Sequence, residues 1–237
     1  MTIVDILVPM WHPRSRVTAG AALAIAFAWT AAAQSGVHPV SGRRFAPVMG
    51  AGGAAWLDRS EREMEEAPER ALDALAIRTG ATVADVGAGS GYFTIRLSAR
   101  VGESGRVLAT DLQPEMLALL RTRLADRHVT NVTLIQGTAD DPKLPAASLD
   151  LVLLVDVYHE LSAPQAMLHH IRDSLKPDGR LVLLEYRKED PAMPIKIEHK
   201  MSVAEARAEV EAERFHLVRV DERLPRQHIL IFERREP

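Results

Sequence analysis

The fold of this chain is decided by the stretch VADVGAGSGYF, residues 83–93. Its first residues belong to an apolar run over 82–86 that is typical of a buried strand, and a helix is expected after Gly91. The glycines at 87, 89 and 91 allow tight turning and let a ligand come close to the backbone. The stretch therefore predicts a strand, a glycine loop and a helix in direct succession.

Strands and helices continue to alternate beyond this loop. Strands are predicted at residues 107–110, 132–136, 149–155 and 180–186, and helices at 114–125 and 164–175. Each strand is short and almost entirely apolar, as in a parallel sheet covered by helices. Two further runs, 215–220 and 228–233, are too close in sequence for a parallel crossover. We predict an α/β fold with a doubly wound, seven-stranded sheet, mostly parallel with an antiparallel C-terminal strand, and helices on both faces.

The residues ahead of the sheet divide into a helix and a linker. Residues 59–76 carry apolar side chains at helical spacing, and Gly80 closes this predicted helix. Residues 34–57 are rich in glycine, proline and alanine and have no sustained period, which predicts a linker. The globular domain is accordingly expected over residues 58–237.

The first 33 residues have the composition of a targeting segment. Arg14 and Arg16 precede an uncharged, mostly apolar stretch over 17–33, which ends in three alanines before Gln34. This pattern predicts a secretory signal peptide over residues 1–33, cleaved after Ala33, with Met10 as an alternative start. We therefore expect export, periplasmic or secreted. An uncleaved membrane anchor or a cytoplasmic protein is the alternative, because the apolar stretch is at the lower limit for spanning a bilayer.

Composition excludes several classes of protein. With 47% hydrophobic and 26% charged residues, the chain is neither disordered nor a polytopic membrane protein. A net charge of −3, with no basic stripe or aromatic stacking platform, argues against nucleic acid as a partner. The chain has no cysteine, which excludes disulfides, thiolate metal sites and a cysteine nucleophile.

The glycine loop fits two common nucleotide motifs poorly. In a nicotinamide-binding G-x-G-x-x-G loop that starts at Gly87, the last glycine would fall on Tyr92. A phosphate loop needs a lysine before the helix, and none is present. Asp111 ends the next strand, where a carboxylate can accept hydrogen bonds from ribose hydroxyls. Asp85, two residues before the loop, suits a cationic ligand better than a pyrophosphate.

Four segments, in this order, carry a family resemblance: DVGAGSGYF (85–93), ATDLQPEML (109–117), LPAASLDLVLLVDVYHEL (144–161) and LKPDGRLVLLEY (175–186). Over residues 58–233 the chain resembles the class I S-adenosylmethionine-dependent methyltransferases, in the small-molecule branch that includes ubiquinone/menaquinone-type C-methyltransferases. The resemblance implies a Rossmann-like fold, S-adenosylmethionine as methyl donor, S-adenosylhomocysteine as product, and a small-molecule acceptor.

The resemblance also implies roles for individual residues. Asp85 and the loop residues Gly87, Ala88, Gly89 and Gly91 would hold the methionine part of the donor. Asp111 would bind the ribose and Leu112 would pack on adenine. Thr138, Ala139 and Asp140 would reach the adenine amine, and Asp156 would line the floor of the site. Thr138 departs from the pattern, because many relatives have an acid directly after this glycine, so the adenine contact is open.

The expected chemistry needs few residues. Methyl transfer from a sulfonium is an in-line displacement, in which an enzyme positions two reactants and removes a proton where needed. His159 is the candidate base and Tyr158 would orient the acceptor or contact the sulfonium. Alternatively, His159 only hydrogen-bonds the backbone at a helix start. A metal site formed by His159, His199 and a carboxylate has no recognisable spacing, so we predict none.

Two other functions are compatible with these residues. The chain would be a non-catalytic S-adenosylmethionine-binding scaffold or sensor if it binds the donor without turnover. A nicotinamide-dependent enzyme would bind a dinucleotide instead. The lack of cysteine separates the chain from arsenite methyltransferases, whose chemistry uses thiolates.

Overall fold

The computed structural model describes residues 36–235, so the predicted signal peptide over 1–33 lies outside the described residues. Within 36–235, no helix has both the length and the apolar character needed to cross a membrane.

The core of the fold is a single mixed sheet. Its strands are β1 (Thr82–Val86), β2 (Arg106–Asp111), β3 (Val132–Gln136), β4 (Leu149–Val155), β5 (Leu175–Tyr186), β6 (Phe215–Asp221) and β7 (Gln227–Arg234). They lie side by side in the order β3-β2-β1-β4-β5-β7-β6. Strands β1 to β5 are parallel, and β7 runs antiparallel to both β5 and β6. The predicted fold class is therefore confirmed.

Helices connect the strands and cover the sheet. They are α1 (Ala54–Leu57), α2 (Arg62–Glu66), α3 (Pro68–Leu75), α4 (Tyr92–Val101), α5 (Pro114–Asp126), α6 (Pro164–Ser174) and α7 (Val203–Ala212), with short 3₁₀ turns at Ala51–Gly53, Tyr158–Glu160 and Ile197–His199. The single helix predicted over 59–76 is wrong. It is divided at Ala67, which has φ 49°, because Pro68 disfavours the α conformation in the residue before it.

The two faces of the sheet are buried by different helices. On one face, Val152 and Leu154 pack with Leu168 and Ile171 of α6. On the other face, alternate residues of β4 pack with α4, including its Leu97. Side chains of this size each contribute about 1.5–3 kcal/mol when fully buried. The near-continuous apolar sequence of β4 follows from burial on both faces.

Strand β5 begins earlier than the sequence predicts. Leu175 already pairs with Leu149, whereas the next pair joins Arg180 to Leu151. The residues between Leu175 and Arg180 are looped out of the ladder, and they contain the turn expected at residues 177–179. The predicted turn therefore becomes an irregularity within the strand.

The N-terminal segment, residues 36–57, lies against the domain. Arg43 is buried and pairs with Glu209 of α7, with Nη2 3.0 Å from Oε2. Arg43 Nη1 also donates to the backbone oxygen of His159 at 2.9 Å, and the Ala46 amide donates to the same oxygen at 3.1 Å. The stretch expected to be a linker thus reaches the carboxyl end of β4. Its boundary with the domain stays a prediction.

Candidate functional site

A cavity of about 520 Å³ lies at the carboxyl ends of β1, β2 and β4. In open α/β sheets, ligands bind at this end, where the strand order reverses on either side of the first strand. The glycine loop, the residues after β2 and β4, the N-terminal segment and residues 194–199 all contribute to the wall. The sheet therefore brings one contiguous site together from segments far apart in sequence.

The glycine loop is packed so tightly that a side chain would have no room at Gly87 or Gly91. Gly87 has φ 73°, and a Cβ there would lie 2.5 Å from Cγ2 of Val157. The amides of Gly87 and Ala88 donate to the backbone oxygen of Thr110 at 2.8 and 3.0 Å, which fixes the loop against β2. Gly87 and Gly89 line the cavity, whereas Ala88 and Gly91 lie behind it.

Asp85 lies beneath the loop and not on the cavity wall. Its side chain is buried, and Oδ2 accepts a hydrogen bond from Thr94 Oγ1 at 2.6 Å. Burial, together with the charge of Asp111, raises the pKa of this carboxyl to about 6, although the hydrogen bond from Thr94 opposes the rise. A cation above the loop would therefore favour ionisation of Asp85.

Asp111 is held from two sides at the cavity wall. Its Oδ2 accepts from the Gly89 amide at 2.9 Å and its Oδ1 from the Gln113 amide at 2.8 Å. Burial raises the pKa of Asp111, and these amides oppose the rise. Each oxygen has further acceptor capacity for a hydroxyl group. Leu112 follows at the edge of the cavity and is 45% exposed.

Of the three site residues predicted after β3, two line the cavity and one does not. Thr138 and Ala139 line the wall. Asp140 is exposed outside it and accepts a hydrogen bond from Thr138 Oγ1 at 2.6 Å. Thr138 therefore lines the cavity and Asp140 does not, and the adenine contact stays a prediction.

Asp156 follows β4 directly and lines the floor of the cavity. Its backbone is left-handed, with φ 52°, a conformation that costs a non-glycine residue about 1–3 kcal/mol. Oδ2 accepts from Gln227 Nε2 at 2.8 Å, whereas buried Oδ1 has no hydrogen-bond partner among residues 36–235. Burial, and then the charges of Glu66 and Glu185, raise its pKa well above the usual range. Such an unpaired buried oxygen fits a hydrogen-bond donor or cation on a ligand.

His159 and Glu160 approach His199 on another side of the cavity; we call these three residues the histidine cluster. His159 Nε2 lies 3.1 Å from His199 Nδ1. His159 Nδ1 lies 2.6 Å from Oε2 of buried Glu185, whose Oε1 accepts from the Tyr158 amide at 2.9 Å. Burial opposes protonation of His159, but Glu185 raises its pKa overall. Burial raises the pKa of Glu160 to about 7.

The structure does not bring Tyr158 to the cavity. The Tyr158 ring is fully buried in the core, with the Arg43 guanidinium 5.9 Å from its centre. The 3₁₀ turn at Tyr158–Glu160 directs consecutive side chains to different sides, so His159 and Glu160 reach the cavity and Tyr158 does not.

Several wall residues lie outside the sequence motifs. Met49, Trp56 and Leu57 come from the N-terminal segment, and Met167 and Ile195 come from α6 and the loop after β5. The Met49 backbone oxygen accepts from Gln113 Nε2 at 3.0 Å, which places the segment over the residues after β2. In the sequence, the signal that could have indicated this contribution is Trp56, a large apolar side chain in a glycine-rich stretch.

Comparison with known proteins finds relatives of this chain. Residues 83–179 match the family described as "Methyltransferase domain". The ubiquinone/menaquinone biosynthesis C-methyltransferase of Azotobacter vinelandii is 33% identical over 134 residues, 56% of this chain and 53% of that protein. The corresponding protein of Hahella chejuensis is 32% identical over 52% of this chain and 49% of its own length. The chain spans about half the length of these curated relatives.

Solved structures extend the similarity over more of the chain. A SAM dependent methyltransferase from Aquifex aeolicus has a TM-score of 0.74 and 26% identity, covering 78% of this chain and 98% of that one. A TehB-like SAM-dependent methyltransferase from Corynebacterium glutamicum, at 18% identity and a TM-score of 0.59, covers the same shares and shows the fold alone. The comparisons confirm the predicted Rossmann-like fold. They also support the predicted enzyme class, an S-adenosylmethionine-dependent methyltransferase, and its cofactor.

Proposed function

We propose that this protein transfers a methyl group from S-adenosylmethionine to a small-molecule acceptor by in-line displacement. One observation carries the proposal: the glycine loop with Asp111 and the histidine cluster face the same 520 Å³ cavity. A volume of this size is typical of small-molecule sites, for which the usual range is about 300–1,000 Å³. Donor and acceptor would thus meet in the same cavity.

The donor wall consists of Gly87, Gly89, Asp111, Leu112, Thr138 and Ala139. Asp111 is oriented by two backbone amides before any ligand arrives, so it can accept ribose hydroxyls without rearrangement. The unpaired Oδ1 of Asp156 and the buried carboxyl of Asp85 both favour a cationic ligand. When bound, the donor supplies an electrophilic methyl group on a positively charged sulfur.

The acceptor wall consists of the histidine cluster with Leu161, Met167 and Ile195. Its three apolar side chains favour an acceptor with an apolar body and one reactive polar group. Among the protein's own groups, His159 Nε2 is best placed to take the proton of that group, because Glu185 fixes the other ring nitrogen. Glu185 therefore acts as a positioning residue.

Calorimetric titration with S-adenosylhomocysteine tests donor binding. We expect binding to the wild-type protein and at least tenfold weaker binding by Asp111→Asn, since ribose contacts are lost. Asp126→Asn, an exposed aspartate at the end of α5, is the matched control and should bind like wild type. Absence of heat at millimolar ligand would overturn the proposal.

A metabolite-extract screen for donor-dependent gain of a methyl mass tests the acceptor. Methylated products that disappear in His159→Asn are expected. Donor binding with no acceptor turned over would instead favour the scaffold or sensor function.

We also propose that the chain is exported after cleavage behind Ala33, on the strength of its sequence pattern. Mass spectrometry of the mature protein should find Gln34 as its first residue. An intact Met1 or Met10 in a soluble cytoplasmic fraction would refute export.

A further inference from the structure

The ligand atoms of the histidine cluster converge on one point. His159 Nε2 lies 3.1 Å from His199 Nδ1 and 3.9 Å from Glu160 Oε1, and His199 Nδ1 lies 3.7 Å from the same oxygen. One ligand atom from each side chain thus lies within 4.8 Å of the others. A hydrogen bond explains the shortest of these distances but not the approach of all three atoms.

These distances match the edges of a metal coordination shell. Zinc binds histidine nitrogen and carboxylate oxygen at about 2.0–2.2 Å, so tetrahedral geometry separates two ligand atoms by roughly 3.3–3.6 Å. The observed separations of 3.1, 3.7 and 3.9 Å bracket that range. An ion would need side-chain movements of only a few tenths of an ångström to reach all three atoms.

A buried carboxylate supports the first histidine from behind. Glu185 Oε2 lies 2.6 Å from His159 Nδ1, and the Tyr158 amide holds its other oxygen. A histidine whose second nitrogen donates to a carboxylate is the usual arrangement of a metal ligand, because it fixes the tautomer and orients the ring. His159 Nε2 is then left with its lone pair directed at Glu160 and His199.

The surroundings also favour a cation. The carboxyl groups of Asp156, Glu160 and Glu185 all lie close enough to act on His159, and those of Glu198 and Glu185 act on His199 against Lys196. All three ligand residues line the cavity, so a fourth coordination position would face the bound acceptor. Two imidazoles and one carboxylate with an open position are typical of catalytic zinc and other first-row metal sites.

We propose that His159, Glu160 and His199 bind a divalent transition-metal ion, with Zn²⁺ as the expected occupant, on the acceptor wall. The sequence predicts no such site, because 40 residues separate the two histidines and only the fold brings them together. Ion binding does not depend on the proposed methyl transfer. A role for the ion in catalysis does rest on the proposed function.

In that role the ion would hold a hydroxyl or thiol group of the acceptor. Coordination lowers the pKa of such a group, so its proton leaves to water, and His159 serves as a ligand and not as the base. The freed lone pair then forms the new bond to the methyl carbon, while the electrons of the carbon–sulfur bond stay on sulfur. The substrate class is therefore a small acceptor with an oxygen or sulfur metal ligand.

Titration of the chelator-treated protein with Co²⁺ and Zn²⁺ tests the site. Wild type should bind one ion and show the visible absorption of four- or five-coordinate Co²⁺, which Zn²⁺ displaces. We expect at least tenfold weaker binding by His199→Ala, Glu160→Gln and, through positioning, Glu185→Gln. His216→Asn is the matched control, because His216 lies 3.4 Å from Glu211 on the surface.

Protein stability gives a second measurement of the same site. Zn²⁺ should raise the melting temperature of wild type and of His216→Asn but not that of His199→Ala, and near-UV circular dichroism should show all three folded. Co²⁺ with the spectrum of the aqueous ion, or equal affinity in wild type and His199→Ala, would overturn the site.

The outcomes separate this inference from the proposed function. If chelator-treated protein binds no metal and still methylates its acceptor, the metal site fails and the proposed function stands. If Zn²⁺ binds but no acceptor is methylated, the proposed function fails and the site stands. Loss of methylation on chelation, with S-adenosylhomocysteine binding unchanged, supports both.

Discussion

The donor wall and the acceptor wall of one cavity are built in different ways. The donor wall presents glycine backbone and the carboxylate of Asp111. Backbone amides of nearby sequence motifs, those of Gly89 and Gln113, hold this carboxylate. The acceptor wall presents titratable side chains supported by partners far away in sequence, such as His159 with Glu185 and His199. Local motifs therefore define the first wall, and tertiary contacts define the second.

This difference has a physical consequence for specificity. A wall of backbone and fixed carboxylate changes little when surface residues change, which suits a common donor. A wall of side chains from the residues after β4, from α6 and from residues 194–199 can change one contact at a time. Under the proposed function, the acceptor wall is therefore the part of the site that would decide substrate choice.

The largest expected effect comes from breaking the support of the acceptor wall. Arg43→Met leaves Glu209 buried without its cation, although Ser41, His38 and Tyr158 stay near it, and removes a hydrogen bond to the His159 backbone. Loss of one partner of a buried ion pair costs about 3–5 kcal/mol. Urea unfolding should show this loss.

The double variant Arg43→Met, Glu209→Met serves as the control for this prediction, because it buries no unpaired charge. It should regain most of the lost stability. A single variant as stable as wild type would mean that the N-terminal segment does not hold the acceptor wall.

The next effect tests the packing of the glycine loop behind the donor wall. Gly91 has φ 92°, and a Cβ there would overlap the side chain of Leu120. Gly91→Ala should lower the free energy of unfolding by about 2–4 kcal/mol, the sum of backbone strain and overpacking. Gly42→Ala is the control, because Gly42 also has positive φ, 73°, but no atom within 4 Å of its added Cβ. It should cost about 1 kcal/mol, and equal losses in the two variants would contradict tight packing of the loop.

A pH effect of similar size concerns Asp85. Burial raises its pKa from 3.8 to about 6 in the folded protein, so folding favours the protonated form. The contribution of Asp85 to the free energy of unfolding is therefore largest below about pH 4 and is lost as pH rises through 6. The loss reaches about 3 kcal/mol by pH 7. Asp85→Asn lacks this loss, so its stability relative to wild type should increase between pH 4 and 7.

Urea unfolding at several pH values measures the Asp85 effect. Asp126→Asn should follow the wild-type curve throughout, since Asp126 is exposed. Parallel curves for Asp85→Asn and wild type would show that the Asp85 carboxyl is not destabilised by burial.

The smallest effect separates the two walls directly. Leu112 is 45% exposed on the donor wall, and a bound adenine would cover it. Leu112→Ala should weaken S-adenosylhomocysteine binding about fivefold, from the lost apolar contact. Ile195→Ala removes a similar side chain from the acceptor wall and should leave this affinity unchanged. A comparable loss in both variants would place the donor across both walls.

The same contrast explains what the sequence alone could predict. Strands β1, β3 and β4 have the predicted boundaries, because a short, mostly apolar run between turns is a local signal. Asp111 lies at the cavity for the same reason, since it directly ends a strand. The burial of Tyr158 depends on which way a 3₁₀ turn directs each side chain, which no periodicity records.

Other features could not be predicted from the sequence, because they depend on contacts between residues that are far apart in the chain. Nothing near His159 indicates that His199 will lie beside it, because the two meet only when residues 194–199 fold over the cavity. The packing of residues 36–57 is set by Arg43 and its partner Glu209, which are 166 positions apart. A glycine- and proline-rich composition predicted only a linker there.

The burial of Arg43 has a practical consequence for how the chain can be shortened. A recombinant protein that starts at Asp58, the predicted beginning of the domain, would lack Arg43, the cation that pairs with Glu209. It would also lack the rest of the N-terminal segment, which places Met49 and Trp56 at the cavity. Such a product is expected to aggregate on expression. Removal of a leader after Ala33 would cut ahead of this ion pair, so maturation and a stable fold are compatible at that position.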